Sequence, residues 1–155
     1  MRTPAVHADC ILLGTRAVLI RGDAGSGKSS LSDTLIEAAR LRGHLGLLVA
    51  DDYVHLTNGG GRLLGHVPET IRGKMEVRGV GLVEAAFTPV AHITLVVDLE
   101  PLDRLDRLPE TPLLQTCLED VQVASLHCPA NDTSTSLRLI RWGLRQLQSG
   151  GPDYI

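Results

Sequence analysis

The stretch from Arg21 to Ser30, RGDAGSGKSS, limits the possible folds of this chain more than any other feature. It contains every fixed position of the pattern G-x-x-x-x-G-K-[ST], beginning at Gly22. In that pattern glycines let successive backbone N–H groups point inward around phosphate oxygens, and the next helix directs its positive end at the same anion. The sequence therefore predicts a strand, a phosphate-binding loop and a helix, in this order.

The flanking segments agree with this prediction. The apolar run Ala17–Ile20 before the loop is typical of a buried strand, and residues 29–43 have apolar side chains at helical spacing. We expect Lys28 to reach the β- and γ-phosphates of a nucleotide and Ser29 to bind Mg²⁺. The expected nucleotide-binding residues are Gly22, Asp23, Ala24, Gly25, Ser26, Gly27, Lys28, Ser29 and Ser30.

The remaining segments predict an α/β domain in which a mixed β-sheet carries the phosphate loop and has flanking helices. The expected elements are strands at 47–50 and 92–99, a hairpin around Asn58–Gly61, and helices that start at Pro101 and near Asp132. No internal repeat and no long linker divides the chain, so residues 1–155 are expected to form one domain.

Composition is useful mainly for what it excludes. The chain has 15 basic and 18 acidic residues, and this balance does not indicate a protein that binds nucleic acid or a membrane surface. The first 20 residues contain only short apolar runs, so we expect neither a signal peptide nor a membrane span, and we expect a cytoplasmic location. The three cysteines lie far apart and lack zinc-ligand spacing.

Two adjacent carboxylates, Asp51 and Asp52, follow the strand at 47–50. Ligands of open α/β sheets bind beyond the carboxyl ends of strands, so these side chains are expected near the phosphate loop. Neighbouring residues of a strand point to opposite faces, and the two carboxylates are therefore expected to differ in role. The chain has no guanine-reading N/T-K-x-D segment, which argues against a GTPase.

The segment LLGHVPETIRGKMEVRGVGL, residues 63–82, is the most distinctive part of the chain. It combines charged side chains, among them Arg72, Glu76 and Arg78, with closely spaced glycines. Taken alone, this composition indicates a mobile charged loop beside a strand, which could position a protein substrate or shield phosphates. A solvated turn with ordinary ion pairs is the simpler alternative.

The phosphate loop, VADD and PETIRGKMEVRGVGL, in this order, resemble the catalytic domain of the bacterial HPr kinase/phosphorylase family. The resemblance extends over roughly Val6 to Arg107, and the segment 68–82 is its most specific part. It implies ATP- and Mg²⁺-dependent phosphorylation of a serine on HPr, the phosphocarrier protein of the sugar phosphotransferase system. It also implies a reverse reaction, in which phosphate removes that group and yields pyrophosphate. The family likeness suggests a short form that consists of the C-terminal catalytic domain only.

The resemblance also implies roles for individual residues and a partner. It marks His7, the pair Asp51-Asp52, and Glu76 followed by Arg78 as site residues beside the phosphate loop. The expected site then has catalytic Asp51, Lys28 and His7, a metal held by Ser29 and by Asp52 or Glu76, and substrate contacts from Arg78 and from Arg72, which lies in the same charged segment. Asp51 would be the general base. HPr would be the protein partner, and assembly into a homo-oligomer is left open.

One stretch departs from the family pattern. A glycine-arginine-asparagine loop is expected near HCPANDTSTSLRL, but no arginine occurs there before Arg138. Because free phosphate and phosphoserine are both anions, we expect this chain to be a kinase with weak phosphorylase activity. Two alternatives stay open: a small-molecule kinase, for which an arginine-rich lid is expected, and a nucleotide-binding regulator without transferase activity.

Overall fold

A computed structural model shows the fold of residues 4–155, which is the part of the chain that the structure describes. The elements in chain order are β1 (Ala5–Leu13), β2 (Arg16–Arg21), α1 (Lys28–Leu41), β3 (Gly46–Ala50), β4 (Tyr53–Gly59), β5 (Arg62–His66), β6 (Lys74–Val77), β7 (Gly81–Glu84), β8 (Val90–Glu100), β9 (Leu114–Leu118), β10 (Val121–Pro129) and α2 (Thr133–Leu147). No helix within the described residues is long and apolar enough to cross a membrane.

The strands form two sheets that share the long strands β1 and β8. The larger sheet has the order β3-β1-β2-β8-β10-β9, in which β2, β8 and β10 are parallel and the other pairs are antiparallel. The smaller sheet has the antiparallel order β1-β4-β5-β8. The hairpin of β6 and β7 pairs separately. The prediction of a mixed α/β sheet with flanking helices is confirmed.

The larger sheet is covered on both faces. Leu35 of α1 and Ile140 of α2 belong to the core on one face, and Leu56 of β4 and Leu63 of β5 belong to the core on the other. Strand β2 contributes to both cores, and its residues Ala17–Ile20 are all 0% exposed. Burial on two faces explains why the sequence of β2 is a continuous apolar run instead of an alternating one.

Helix α1 begins directly at the phosphate loop. Its N-cap residue, Gly27, has a φ of 93° and makes no side-chain cap hydrogen bond, and no acidic side chain lies in the first turn. The N–H groups of that turn are therefore available to a partner outside the helix, and their partial positive charge is not neutralised by the helix itself. The predicted order of strand, loop and helix is confirmed.

Two predicted elements are wrong. The sequence predicts a helix from Pro101, but Leu102–Arg104 form only one turn of 3₁₀-helix; Pro109 and Pro112 soon follow and oppose a longer helix. The mobile loop that composition alone indicates for the segment 63–82 is not found, whereas the predicted hairpin around Asn58–Gly61 is present as β4 and β5. The segment contains most of β5, a turn of 3₁₀-helix and most of the β6–β7 hairpin.

The hairpin of β9 and β10 has no counterpart among the predicted elements. Its turn residues, Glu119 and Asp120, have φ values of 50° and 59°. Glycine and asparagine are the usual residues at such left-handed positions, so the sequence carries no strong hairpin signal here. Strand β10 extends the parallel part of the larger sheet and leads into the turn before α2, beside the phosphate loop.

Candidate active site

The phosphate loop curls around the side chain of Lys28. Lys28 Nζ donates hydrogen bonds to the carbonyl oxygens of Gly22 at 3.0 Å and Asp23 at 3.2 Å. Gly25 has a φ of 79°, and the space that a Cβ would enter there is open. A side chain at a φ in this range is strained, so the loop needs glycine for its shape.

Asn131, in the turn between β10 and α2, supports the phosphate loop from the side. Its Nδ2 donates to the carbonyl oxygen of Gly25 at 3.0 Å, and its backbone N–H donates to the carbonyl oxygen of Ser26 at 2.9 Å. Asn131 has a φ of 54°, a value that asparagine tolerates better than most residues. In the stretch where the family pattern has an arginine, this chain therefore places a neutral amide against the loop.

Asp51 lies beneath the loop and is only 8% exposed. Its Oδ1 accepts a hydrogen bond from Ser29 Oγ at 2.7 Å, and its Oδ2 accepts one from the backbone N–H of Glu76 at 2.8 Å. The carboxylate thereby joins the start of α1 to the β6–β7 hairpin. Each of its two oxygen atoms already has a partner within the protein.

Asp52 is oriented differently from its neighbour. Its side chain is 56% exposed, and its Oδ1 lies 2.7 Å from Nε2 of His7. The His7 ring lies 5.7 Å from the ring of Tyr53, measured between centroids. Of the two adjacent carboxylates, Asp52 is the one that faces the cleft.

A third carboxylate, Asp9, lies behind this pair and is 0% exposed. Its Oδ1 accepts a hydrogen bond from the backbone N–H of Asp52 at 2.8 Å, and its Oδ2 accepts one from Ser32 Oγ at 2.8 Å. Burial, and secondly the charge of Asp51, raise the pKa of Asp9 to about 7. Sequence reasoning missed Asp9, although an acidic residue within the otherwise apolar run ADCILL is a visible signal.

The phosphate loop, the pair of Asp52 and His7, and the β6–β7 hairpin surround a cleft of about 530 Å³. The predicted residues that line it are His7, Ala24, Gly25, Gly27, Lys28, Ser29, Ser30, Asp52, Glu76 and Arg78. The lining residues that sequence reasoning did not select are Asp33, Tyr53, Val77 and Asn131. Gly22, Asp23 and Ser26 belong to the loop but are not part of the lining.

The structure does not bring Arg72 to the cleft. Its Nη1 donates to Glu69 Oε1 at 3.2 Å, and its guanidinium carbon lies 5.4 Å from the centroid of the Phe87 ring. These contacts hold Arg72 in the turn before β6. The predicted substrate contact by Arg72 therefore has no geometric support, whereas Arg78 lines the cleft.

The cleft fits a nucleotide phosphate chain that carries a magnesium ion. Lys28 and the free N–H groups of α1 supply positive charge, and Ser26 Oγ is buried without a hydrogen-bond partner. Among residues 4–155, no three His, Cys, Asp or Glu side chains are grouped closely enough to hold a metal by themselves. Mg²⁺ bound with a nucleotide takes phosphate oxygens and waters as ligands beside only one or two protein groups.

The fold and the site define an α/β domain of the phosphate-loop class, with its cleft at the carboxyl end of β2. The family model described as HPr Serine kinase C-terminal domain matches residues 2–149. The chain belongs to this family.

Curated relatives carry the same family name. The chain is 33% identical over 147 residues to the HPr kinase/phosphorylase of Limosilactobacillus reuteri, which covers 88% of this chain and 43% of the relative. It is 39% identical over 125 residues to the HPr kinase/phosphorylase of Leptothrix cholodnii, and this match covers 73% of this chain and 36% of the relative. The chain thus spans less than half the length of these relatives.

A solved structure has the same fold. The Hpr(Ser) kinase/phosphatase from Coxiella burnetii superimposes with a TM-score of 0.79 at 24% sequence identity, covering 95% of this chain and 100% of that chain. At this identity the likeness bears on the fold. It agrees with the expected HPr-kinase-like architecture.

Proposed function

We propose that this chain is an ATP-dependent protein serine kinase whose substrate is the phosphocarrier protein HPr. Family membership and the names of the relatives support the kinase class. The observation that supports the finer proposal is a single cleft that is lined by a phosphate-binding side and by a side that carries a carboxylate. Lys28 and the phosphate loop form one wall, and the hydrogen-bonded pair of Asp52 and His7 forms the other.

In the proposed reaction the serine Oγ of HPr attacks the γ-phosphorus of ATP. A new oxygen–phosphorus bond forms, the bond to the β-phosphate oxygen breaks, and ADP leaves with that electron pair. The serine proton passes to a carboxylate, because a neutral hydroxyl is a weak nucleophile; such a base contributes about 10²–10⁴-fold to the rate. Mg²⁺ bound with ATP would neutralise charge on the β- and γ-phosphates.

We assign the base to Asp52, which differs from the expectation of Asp51 drawn from the family resemblance. Asp51 is buried, and its two oxygens accept hydrogen bonds from Ser29 and from the Glu76 backbone. A general base has to reach the proton that it removes. The Asp52 carboxylate faces the cleft, and His7 is positioned to orient it at 2.7 Å.

The metal side of the site would then consist of Ser29, Asp51 and Glu76. Ser29 Oγ donates a hydrogen bond to Asp51, so the lone pairs of the hydroxyl oxygen are free to face a cation. Glu76 lines the cleft next to this group, and its backbone N–H fixes the other oxygen of Asp51. Lys28 and the loop N–H groups would stabilise the charge that develops on the transferred phosphoryl group.

The two remaining parts of the proposal concern the acceptor and the reverse reaction. Arg78 lines the cleft on the side of the β6–β7 hairpin and is our candidate for contact with HPr or with its phosphorylated serine. Phosphorolysis needs cationic help to bring two anions together. Asn131 supplies a neutral amide beside the loop, so the reverse reaction would depend on Lys28 and Arg78 for positive charge, and we propose that it is weak.

The proposal is tested by incubating the 155-residue chain with ATP labelled in the γ-phosphate, Mg²⁺ and purified HPr. Label on HPr is expected, and replacement of the acceptor serine of HPr by alanine should abolish it. Label on a metabolite would favour a small-molecule kinase. Nucleotide binding without transfer to any acceptor would favour a regulator, and either result would contradict the proposal.

A further inference from the structure

The backbone of Asp52 has an unusual conformation. Its φ is 70°, and the N–H of Tyr53 donates to the carbonyl oxygen of Asp51 at 2.8 Å. A hydrogen bond between residues two apart, around a residue with this φ, defines a γ-turn of the rare and strained kind. For a residue other than glycine, such a conformation persists only where the surrounding structure holds it.

The turn interrupts the pairing of β1 with β3 and β4. His7 pairs with Tyr53 on one side of the interruption, and Cys10 pairs with Ala50 on the other. Between them the N–H of Ala8 donates to the carbonyl oxygen of Asp52 at 3.0 Å, as in a regular ladder. The N–H of Asp52 instead donates to a side chain, that of Asp9, at 2.8 Å.

Asp9 is anchored on its other side by α1. Its second oxygen accepts a hydrogen bond from Ser32 Oγ at 2.8 Å, and both residues are 0% exposed. Because α1 starts at the phosphate loop, Asp9 connects the strained turn to the helix that carries the loop. Asp9 is not among the residues that line the cleft, so any effect on the reaction has to pass through another group.

We propose that Asp9 is a positioning residue for phosphoryl transfer: it holds the turn of residues 51–53 in its strained form, so that the Asp52 carboxylate faces the cleft. This inference rests on the proposed function, in which Asp52 is the base. Without the acceptor at Asp9, the Asp52 N–H would lose its hydrogen-bond partner within the protein, and the turn would relax and redirect the carboxylate.

Three substitutions separate this role from a general contribution to folding. Asp9→Asn keeps an oxygen for the Asp52 N–H and turns an NH₂ group toward Ser32, whose hydroxyl can accept. Asp9→Val removes the acceptor but keeps an apolar side chain in β1. Ser32→Ala is the matched control, because it removes the other partner of Asp9 and leaves the bond to Asp52 intact.

The kinetic test measures transfer to HPr. Asp9→Val should lower kcat by about 100-fold, because a catalytic group that is misplaced by about 1 Å loses about that much rate. The KM for ATP should stay within about 3-fold of the wild-type value. Asp9→Asn and Ser32→Ala should retain kcat within about 3-fold, since both preserve the acceptor. The double variant of Asp9→Val with Asp52→Asn should be no slower than Asp52→Asn alone. The proposal would be overturned if the double variant lost the rate of both single variants combined. It would also be overturned if Asp9→Asn were as slow as Asp9→Val.

Hydrogen exchange provides a readout that does not depend on catalysis. The Asp52 N–H should exchange slowly in the wild-type chain and in Asp9→Asn, and at least about 10-fold faster in Asp9→Val. Equal exchange in all three would overturn the role of Asp9. Absence of transfer to HPr by the wild-type chain would contradict the proposed function, and the exchange rates would still decide whether Asp9 holds the turn. If Asp9→Val lacks the circular dichroism spectrum of the folded chain, Asp9→Ala replaces it in both tests.

Discussion

The two ends of β2 differ in their surroundings. Where the phosphate loop begins, non-glycine residues adopt left-handed backbone conformations and a buried hydroxyl lacks a partner, whereas at the start of β2 the C-terminal residues pack against the fold and make hydrogen bonds. Asp52 and Asn131 have positive φ at the first end, and Ser26 Oγ is buried there without a partner. At the second end, Tyr154 packs against Gly14 and its hydroxyl lies 2.9 Å from Thr15 Oγ1.

The C-terminal segment is held by an ion pair and a hydrogen bond to the backbone as well as by apolar packing. Arg145 makes a two-pronged contact with Asp153, with both N–O distances at 2.9 Å, and Arg141 Nε donates to the backbone oxygen of Ile155 at 2.9 Å. Ile155 is 1% exposed and Tyr154 is 9% exposed. One end of the molecule is therefore arranged to receive a ligand and the other to stabilise the fold, and substitutions should separate rate from stability accordingly.

The largest effect is expected at Asp52. Asp52→Asn should lower the rate of transfer to HPr by about 10²–10⁴-fold, because an amide cannot take the serine proton. Nucleotide affinity and the unfolding midpoint should change little, since the side chain is exposed. Asp51→Asn is the informative companion. Asp51→Asn should raise the Mg²⁺ concentration that gives half-maximal rate. If Asp51→Asn instead loses as much rate as Asp52→Asn without that shift, Asp51 is the general base.

A loss almost as large is expected at Lys28. Lys28→Ala should lower the transfer rate by about 10²–10³-fold, because the ammonium stabilises charge on the transferred phosphoryl group. The circular dichroism spectrum should stay that of the folded chain. Lys74→Ala is the matched control: Lys74 is exposed and does not line the cleft, so its removal should leave the rate within about 2-fold. If Lys28→Ala transfers phosphate as fast as Lys74→Ala, the phosphate loop has no part in the reaction.

The opposite pattern is expected at Tyr154. Tyr154→Ala should lower the free energy of unfolding by about 3–5 kcal/mol, as for other large buried side chains. Tyr154→Phe should cost only about 1 kcal/mol, because it removes the hydroxyl contact with Thr15 and keeps the ring. Chemical denaturation measures both. Below the unfolding transition, transfer rates should stay near that of the wild type; a large loss of kcat in folded Tyr154→Phe would mean that the two ends are coupled.

The smallest effect is expected at the half-buried pair of Arg145 and Asp153. The hydrogen bonds from Arg145 lower the pKa of Asp153 below its usual value of 3.8. A carboxyl with a lowered pKa in the folded state stabilises the fold above its unfolded pKa and loses that contribution as the pH falls through the folded pKa. Asp153→Asn should therefore lower the thermal midpoint slightly at pH 7, and the difference from wild type should vanish in strong acid. A difference that grows on acidification would contradict this assignment.

The sequence by itself determined the local parts of this protein. The phosphate loop from Gly22 to Ser29 and helix α1 are contiguous, so their glycine pattern and apolar spacing predict them from the local sequence alone. The continuous apolar runs of β2 and β8 likewise predicted buried strands. The segment 68–82 gave the family, which the family model confirms over residues 2–149.

Only the tertiary structure decided which carboxylate faces the cleft. Asp51 and Asp52 are adjacent and chemically identical, and their orientations differ because Asp52 has a positive φ and partners on β1, His7 and Asp9, more than forty positions away along the chain. Its charge and its place in the segment 63–82 suggested that Arg72 belongs to the site, yet its contacts with Glu69 and Phe87 keep it outside the cleft. Such choices depend on backbone conformation and long-range hydrogen bonds, which residue type and spacing do not specify.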